Sequence, residues 1–321
     1  MTTTPEPNEA DSAYGGDGDG DSDRHSTVSL GSREGLCFTE EYGRRYAVFG
    51  ENDCLFPSDE QEKVRLDLFS HMIEQVLGKR LHCAPVHLSA GNERVLDVGT
   101  GTGIWAIKMA DLHPTCLVTG VDISEIQPVW VPPNLGFELF DVESPWTWSH
   151  PYTFIFARQL GGSIVNWSGL VRQCYGNLEP GGWVEIQQLD LEHYAEGPLA
   201  PQAGSRVREL CDLLSLALFS FRRRLGVAGH VEDLLRRHGF QNIVHGRIKV
   251  PLGNWPKDPK YKEIGSLRQW ELERALEALT LKPFCKGLGW TPEKVRAFLD
   301  EVRSEIRNKN GQEKVHLTST L

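Results

Sequence analysis

The fold the sequence predicts is a doubly wound α/β sheet of mostly parallel strands, and three observations predict it. Short apolar runs alternate with helical stretches through the middle of the chain. A glycine-rich turn, Gly99-Thr100-Gly101-Thr102-Gly103, joins the first of those runs to a helix, and an acid, Asp122, closes the next run. Strands separated by helices imply parallel pairing through right-handed crossovers.

Residues 1–34 carry eight acids against Arg24 and Arg33 and few apolar side chains. Burial there cannot offset the entropy of ordering, so the segment reads as a disordered acidic tail. The domain is then expected over 35–321, divided into a helical lead-in (35–88), a core (89–195) and a helical part with a C-terminal strand (196–321). The pattern reads as helical from Phe38 to Pro85. Within it Val64, Leu68, Ile73, Val76 and Leu77 mark the apolar face of one helix, started at Pro57-Ser58-Asp59-Glu60 and stopped at Gly78.

Strands are predicted at Arg94–Val98, Cys116–Ile123, Gly136–Phe140, Tyr152–Ala157, Trp183–Leu189 and Asn242–Val250. Helices are predicted at Ile104–Leu112, Leu170–Leu178, Val207–Arg224, Val231–His238, Gly265–Gly287 and Pro292–Arg307. The tail Lys314–Leu321 permits a short strand at best, expected to weaken a sheet edge.

Composition narrows the partners. The net charge is −10, but the tail holds −6 of it, so the remainder is close to neutral and carries no electrostatic footprint for nucleic acid. Arg222-Arg223-Arg224 reads as a solvated helix face. Seven cysteines are dispersed with no C-x-x-C pair, which points to free thiols and away from structural zinc. The acidic start does not resemble a signal or transit peptide, and no apolar run approaches the ~18 residues that span a bilayer. A soluble cytoplasmic protein is expected, with no membrane partner and no metal.

The chemistry concentrates at the glycine turn. Glycines after a parallel strand let the backbone approach a ligand and adopt positive φ. An acid ending the next strand, as Asp122 does, accepts from ribose hydroxyls in dinucleotide and nucleoside cofactors alike. Gly101-x-Gly103-x-x-Ala106 also fits the NAD pattern, so an oxidoreductase competes. Three features favour S-adenosylmethionine (SAM): the carboxylate of Asp97 inside the strand suits an ammonium group, the G-x-G-x-G spacing departs from a pyrophosphate pocket, and Asp141 after the third strand is placed for the adenine amino group. No Y-x-x-x-K pair supplies a dehydrogenase acid.

Longer blocks then resemble the fungal LaeA-like methyltransferases. They are LDVGTGTGIWAIKMAD (Leu96–Asp111), VDISEIQPVWVPPN (Val121–Asn134), FDVESPWTW (Phe140–Trp148), ARQLGGSIVNW (Ala157–Trp167) and EPGGWVEIQQLD (Glu179–Asp190). Flanking them are FPSDEQEKVRLD (Phe56–Asp67), LHCAPV (Leu81–Val86), NWPKDPKYKEIG (Asn254–Gly265) and LGWTPEKVRAFLDEVRSEI (Leu288–Ile306), so the resemblance runs over about 42–310. It implies a class I methyltransferase, Rossmann-like sheet with an N-terminal helical cap. It also implies that the loop (Asp97, Gly99, Thr100, Gly101, Gly103) holds the methionine part of SAM, Asp122 with Ile123 the ribose and Asp141 with Val142 the adenine. Arg158 is expected at the edge where sulfonium and acceptor meet, or else in a salt bridge.

Candidate bases are His193 and Glu192 after the fifth strand, and His150 before the fourth, a lone histidine being more often a surface or packing residue. Glu185 reads as structural, and the tryptophans of the cofactor half as core residues, some free to line an acceptor pocket. Two functions remain. One is methylation of a small-molecule intermediate, on oxygen or nitrogen, in fungal secondary metabolism. The other is a nuclear regulator of secondary-metabolite genes working through protein partners. The absence of a basic import signal favours the first.

Overall fold

The computed structural model describes residues 36–49, 52–190, 205–308 and 314–320. The acidic tail, and with it the disorder expected there, lies outside the described residues. At the N-terminal side β1 (Leu36–Glu41), β2 (Arg44–Phe49) and β3 (Asn52–Asp53) form an antiparallel sheet in the order β1-β2-β3. This overturns the helical reading of residues 38–53. The turn that breaks the helix is Tyr42-Gly43, with φ of 57° and 80°. Two central residues in the left-handed region match the right-handed twist of a hairpin. Alternation places Arg44 and Tyr46 inside and leaves Arg45 half-buried.

Helix α1 (Glu60–Val76) starts where predicted, because the Asp59 carboxylate accepts from the Glu62 amide. Its buried face differs from the apolar reading. Val64 is 58 % exposed, whereas Glu62 and Arg65 are buried beside Phe69, Met72, Ile73 and Val76. The charged residues can be inside because they are paired: Arg65 donates twice to Glu62 and once to Glu271.

The main sheet comprises β4 (Arg94–Val98), β5 (Leu117–Asp122), β6 (Leu135–Leu139), β7 (Tyr152–Arg158), β8 (Leu178–Asp190), β9 (His245–Pro251) and β10 (Lys314–Thr320), in the order β6-β5-β4-β7-β8-β10-β9. The first five strands in that order are parallel, and β10 is antiparallel to both neighbours. The expectation for the tail is therefore corrected: β10 is an interior strand bonded on both sides, and β9 forms the edge.

Helices cover both faces, as a two-sided buried parallel sheet requires. The alternation of β7 shows it directly: Ile155 and Ala157 pack with the core residues Leu170, Val171, Leu234 and Leu235, which belong to α3 (Trp167–Gly176) and α5 (Ala228–Arg237). Phe154 and Phe156 face the other way, toward Trp105 and Met109 of α2 (Ile104–Leu112). A third layer, α4 (Arg206–Ser220), α6 (Pro259–Gly287) and α7 (Pro292–Asn308), has its own apolar core around Leu214, Leu276, Phe284 and Leu299. Arg222-Arg223-Arg224 lies in the connection between α4 and α5, not on a helix face. Among the described residues no helix is long and apolar enough to cross a membrane.

Candidate functional site

The switch point of this sheet lies between β4 and β7, where the connections run off in opposite directions, and ligands of open α/β sheets bind there at the carboxyl ends. The glycine turn sits at that place. Gly99, Gly101 and Gly103 have φ of 69°, 58° and 79°, a region costly for any residue with a Cβ. Space forbids one as well: a Cβ on Gly99 would run into the Leu160 side chain, and one on Gly103 into the Phe137 ring. The amides of Gly99 and Thr100 both donate to the Val121 carbonyl at 2.9 Å, tying the turn to β5.

Two carboxylates flank the turn. Asp97 is 3 % exposed and accepts from Thr100 Oγ1 at 2.6 Å. Burial pushes its pKa up to about 7, against the opposing pull of that hydrogen bond and of the Arg158 charge. Asp122 accepts from the Gly101 amide at 2.8 Å and the Ser124 amide at 2.9 Å, and burial raises its pKa too. Ile123 follows, half-buried. Past β6, the Asp141 carboxylate caps the Glu143 amide at 2.9 Å, and the Val142 carbonyl accepts from Trp146 Nε1 and Gln173 Nε2 at 3.0 Å each. The predicted donor-site residues thus stand at the ends of adjacent strands β4, β5 and β6.

Arg158, the last residue of β7, reaches toward α1. Its Nη2 donates to Ser70 Oγ at 2.9 Å, while Nη1 is buried with no hydrogen-bond partner among the described residues. Among the described residues no salt bridge holds it; Asp97, Glu74 and Glu185 act on it through their charge. Burial lowers its pKa.

Several residues at the site escaped the sequence reading. Thr102 Oγ1 donates to Asp67 of α1 at 2.6 Å, and Leu66 of α1 lies against Gly101. Gln127 Nε2 donates to the carbonyls of Gly101 (2.6 Å) and Ser124 (2.9 Å). Asp67 and Gln127 stand inside the sequence blocks quoted above, but only the fold carries them to the turn. Cys54, just past β3, lies beside Ser124 and Asp122, and burial pushes its thiol up to about 11. The small N-terminal sheet thereby leads into the segment next to the end of β5.

Of the candidate bases, His193 and Glu192 lie outside the described residues. His150 precedes β7, so it stands at the opposite end of the sheet from the turn, where Ser149 Oγ meets its Nδ1 at 2.8 Å. It is a surface residue, as the plainer reading expects. Glu185 is wholly buried, accepting from the amides of Cys83 and Ala84 at 2.8 Å each, which is a structural role. Trp105 stacks on Phe156 at 3.9 Å and Trp167 is 6 % exposed, so both are core, whereas Trp130 is 73 % exposed.

The profile of a family described as "Methyltransferase domain" matches residues 68–245, more than half of the chain. The methyltransferase pytC of Aspergillus terreus is 41% identical over 270 residues, 84% of this chain and 82% of that protein. The secondary metabolism regulator LAE1 of Cochliobolus heterostrophus is 36% identical over 289 residues, 88% of this chain and 92% of its own length. The chain belongs to the LaeA-like methyltransferase family. Its sheet is the class I methyltransferase sheet, with the glycine turn after β4, the first strand of the main sheet in chain order. A further member, named protein-methionine methyltransferase laeA in Emericella nidulans, is 32% identical over 277 residues, 85% of this chain and 72% of that one.

Proposed function

We propose that this methyltransferase uses SAM to methylate a small-molecule intermediate, on oxygen or nitrogen, in fungal secondary metabolism. The observation that carries the donor assignment is the left-handed glycine turn, walled by Leu160 and Phe137 and set between Asp97 and Asp122. The residues fit the donor: a left-handed glycine turn at the end of β4, an acid at the end of β5, and a buried guanidinium nitrogen with no hydrogen-bond partner among the described residues. Asp97 and the glycine turn with Thr100 bind the methionine part. Asp122 and Ile123 orient the ribose, and Asp141 with Val142 borders the adenine. Arg158 faces the edge where donor and acceptor meet.

Bound SAM supplies an electrophilic methyl group on sulfur. Displacement there is rapid once the acceptor is aligned, so positioning by the chain does most of the work. α1 contributes by closing over the turn through Asp67 and Ser70, which excludes water from the donor side. The small-molecule reading follows pytC, and the acceptor is proposed to be the only obligatory partner, with no nucleic acid and no membrane, in the cytoplasm.

Calorimetric titration with SAM tests the reading. We expect binding to the wild type, and loss of about tenfold or more in affinity for Asp122→Ala, since a hydrogen bond to a buried charged group contributes roughly 1.5–3 kcal/mol. A wild type that binds no SAM overturns it.

The regulator reading is favoured by the names of LAE1 and the laeA proteins. Were the acceptor a methionine of this chain itself, Met72 and Met109 could not serve as they stand, both being 0 % exposed. Metabolite profiles after gene deletion separate the two: accumulation of one unmethylated precursor supports the enzyme, broad loss of many products the regulator.

A further inference from the structure

The face of the main sheet beneath α1 carries two polar atoms with no hydrogen-bond partner among the described residues. Gln187 of β8 is wholly buried, and its Nε2 donates to Glu185 Oε1 at 2.7 Å. Its Oε1 has no hydrogen-bond partner among the described residues. Arg158 stands directly across from it in the parallel β7–β8 register, so the two side chains leave the same face of the sheet. Arg158 Nη2 is taken by Ser70, and Nη1 is the second unpaired atom. Buried polar atoms without partners are few in folded proteins, and each asks for a ligand, a water or a movement. Here they are complementary, one acceptor and one donor on neighbouring strands.

That pairing of needs selects a ligand. A carboxylate alone satisfies Arg158 and repels the Gln187 oxygen; an ammonium alone does the reverse. An α-amino acid group carries both on one carbon. It is also neutral overall, which suits a face whose other charges are already engaged: Glu185 by the amides of Cys83 and Ala84, Glu74 by Lys108, and Asp97 by Thr100. The location agrees, because Arg158 lies two residues beyond Phe156, the register partner of Asp97, and hence level with the start of the glycine turn.

We infer that Arg158 and Gln187 together receive the amino-acid end of the methyl donor, its carboxylate on Arg158 and its ammonium on the Gln187 oxygen. This rests on the SAM reading above and adds to it a residue of β8. It also changes the part of Asp97, which shapes the turn through Thr100 instead of meeting the ammonium directly.

The test uses S-adenosylhomocysteine, its analogue without the amine, and 5′-methylthioadenosine, which lacks the amino-acid end. Each is titrated calorimetrically into the full chain, wild type and Gln187→Met. The wild type should bind S-adenosylhomocysteine about tenfold or more tighter than the desamino analogue, the scale of one hydrogen bond to a charged group. Q187M should erase that difference while binding 5′-methylthioadenosine within about twofold of wild type. If the desamino analogue binds the wild type as tightly as S-adenosylhomocysteine, the assignment is overturned, and this holds even if Q187M does not fold. A folded Q187M that keeps the amine preference overturns it equally. A wild type that binds none of the three overturns the SAM reading itself, a result distinct from the others.

Discussion

From Val95 to Asp122 the molecule is fixed by backbone conformation: three left-handed glycines, paired amides on the Val121 carbonyl and a carboxylate accepting the Gly101 amide. The layer that lies over this region, from α1 to α6, is fixed by side chains. Arg65 joins Glu62 to Glu271, Arg268 meets the same Glu271, Asp59 caps α1 while taking Arg44 in two hydrogen bonds, and Lys282 reaches Glu41. The first arrangement is local in sequence and has no room for a Cβ at Gly99 or Gly103. The second is assembled from distant residues and depends on every charge keeping its partner. A ligand site built on amides and glycines holds its shape without a ligand, whereas a cover built on ion pairs can vary its contents as long as the pairs are kept.

Substitutions can break that contrast at either side. The largest loss is expected from Arg65→Ala, which strands Glu62 and half of Glu271 inside the protein. Removing one partner of a buried pair costs about 3–5 kcal/mol, measurable as a lower urea midpoint. Arg65→Met with Glu62→Leu together should recover much of it, because an apolar replacement of a buried ion pair is often neutral and Glu271 keeps Arg268 as its partner.

Gly103→Ala attacks the other side. The left-handed backbone costs about 1–2 kcal/mol and the collision with Phe137 about 1–3 kcal/mol more. A companion Phe137→Leu change should return the packing part alone, leaving the backbone part visible in the same urea titration.

Asp97 sharpens the comparison through pH. Its pKa rises from an ordinary carboxylate value to about 7 on folding, so the folded protein holds a proton that the unfolded chain has released. This group therefore favours the folded state most at low pH, and its contribution declines from about pH 4 to about pH 7, with a slope of up to about 1.4 kcal/mol per pH unit. The difference in stability between wild type and Asp97→Asn should follow that decline and flatten above pH 7. A difference that does not vary with pH would contradict the buried, protonated carboxyl.

The smallest effect belongs to the surface of the cover. Lys63→Ala removes an exposed partner of Glu60 and should change stability by less than about 0.5 kcal/mol by the same titration.

The contrast also explains what could be read in the sequence. The turn, Asp97 and Asp122 were legible because a strand end, a glycine spacing and the next strand end lie within one stretch of chain. The main strands and helices followed from periodicity, with ends displaced by a few residues. The cover was not legible. Val64 has the composition of a core residue and Arg65 does not, yet a partner on α6 reverses their positions. The N-terminal sheet was hidden because a helical period was carried through Tyr42-Gly43, whose paired positive φ values mark a hairpin. Arg158 stands at the carboxyl end of β7, but its partner Ser70 and its neighbour Gln187 come from α1 and β8, which no spacing connects.

The interior position of β10 bears on the order in which the protein is made. Among the described residues β9 joins the rest of the main sheet through β10, which leaves the ribosome after both α6 and α7. During synthesis the parallel half, from β4 to β8, can complete its pairing while β9 still lacks a neighbour on its inner side. The newborn chain thus completes its parallel strands first, and the sheet is finished by its last described strand. Ribosome-bound chains stopped before residue 314 should already protect the glycine turn from protease while leaving β9 open to cutting.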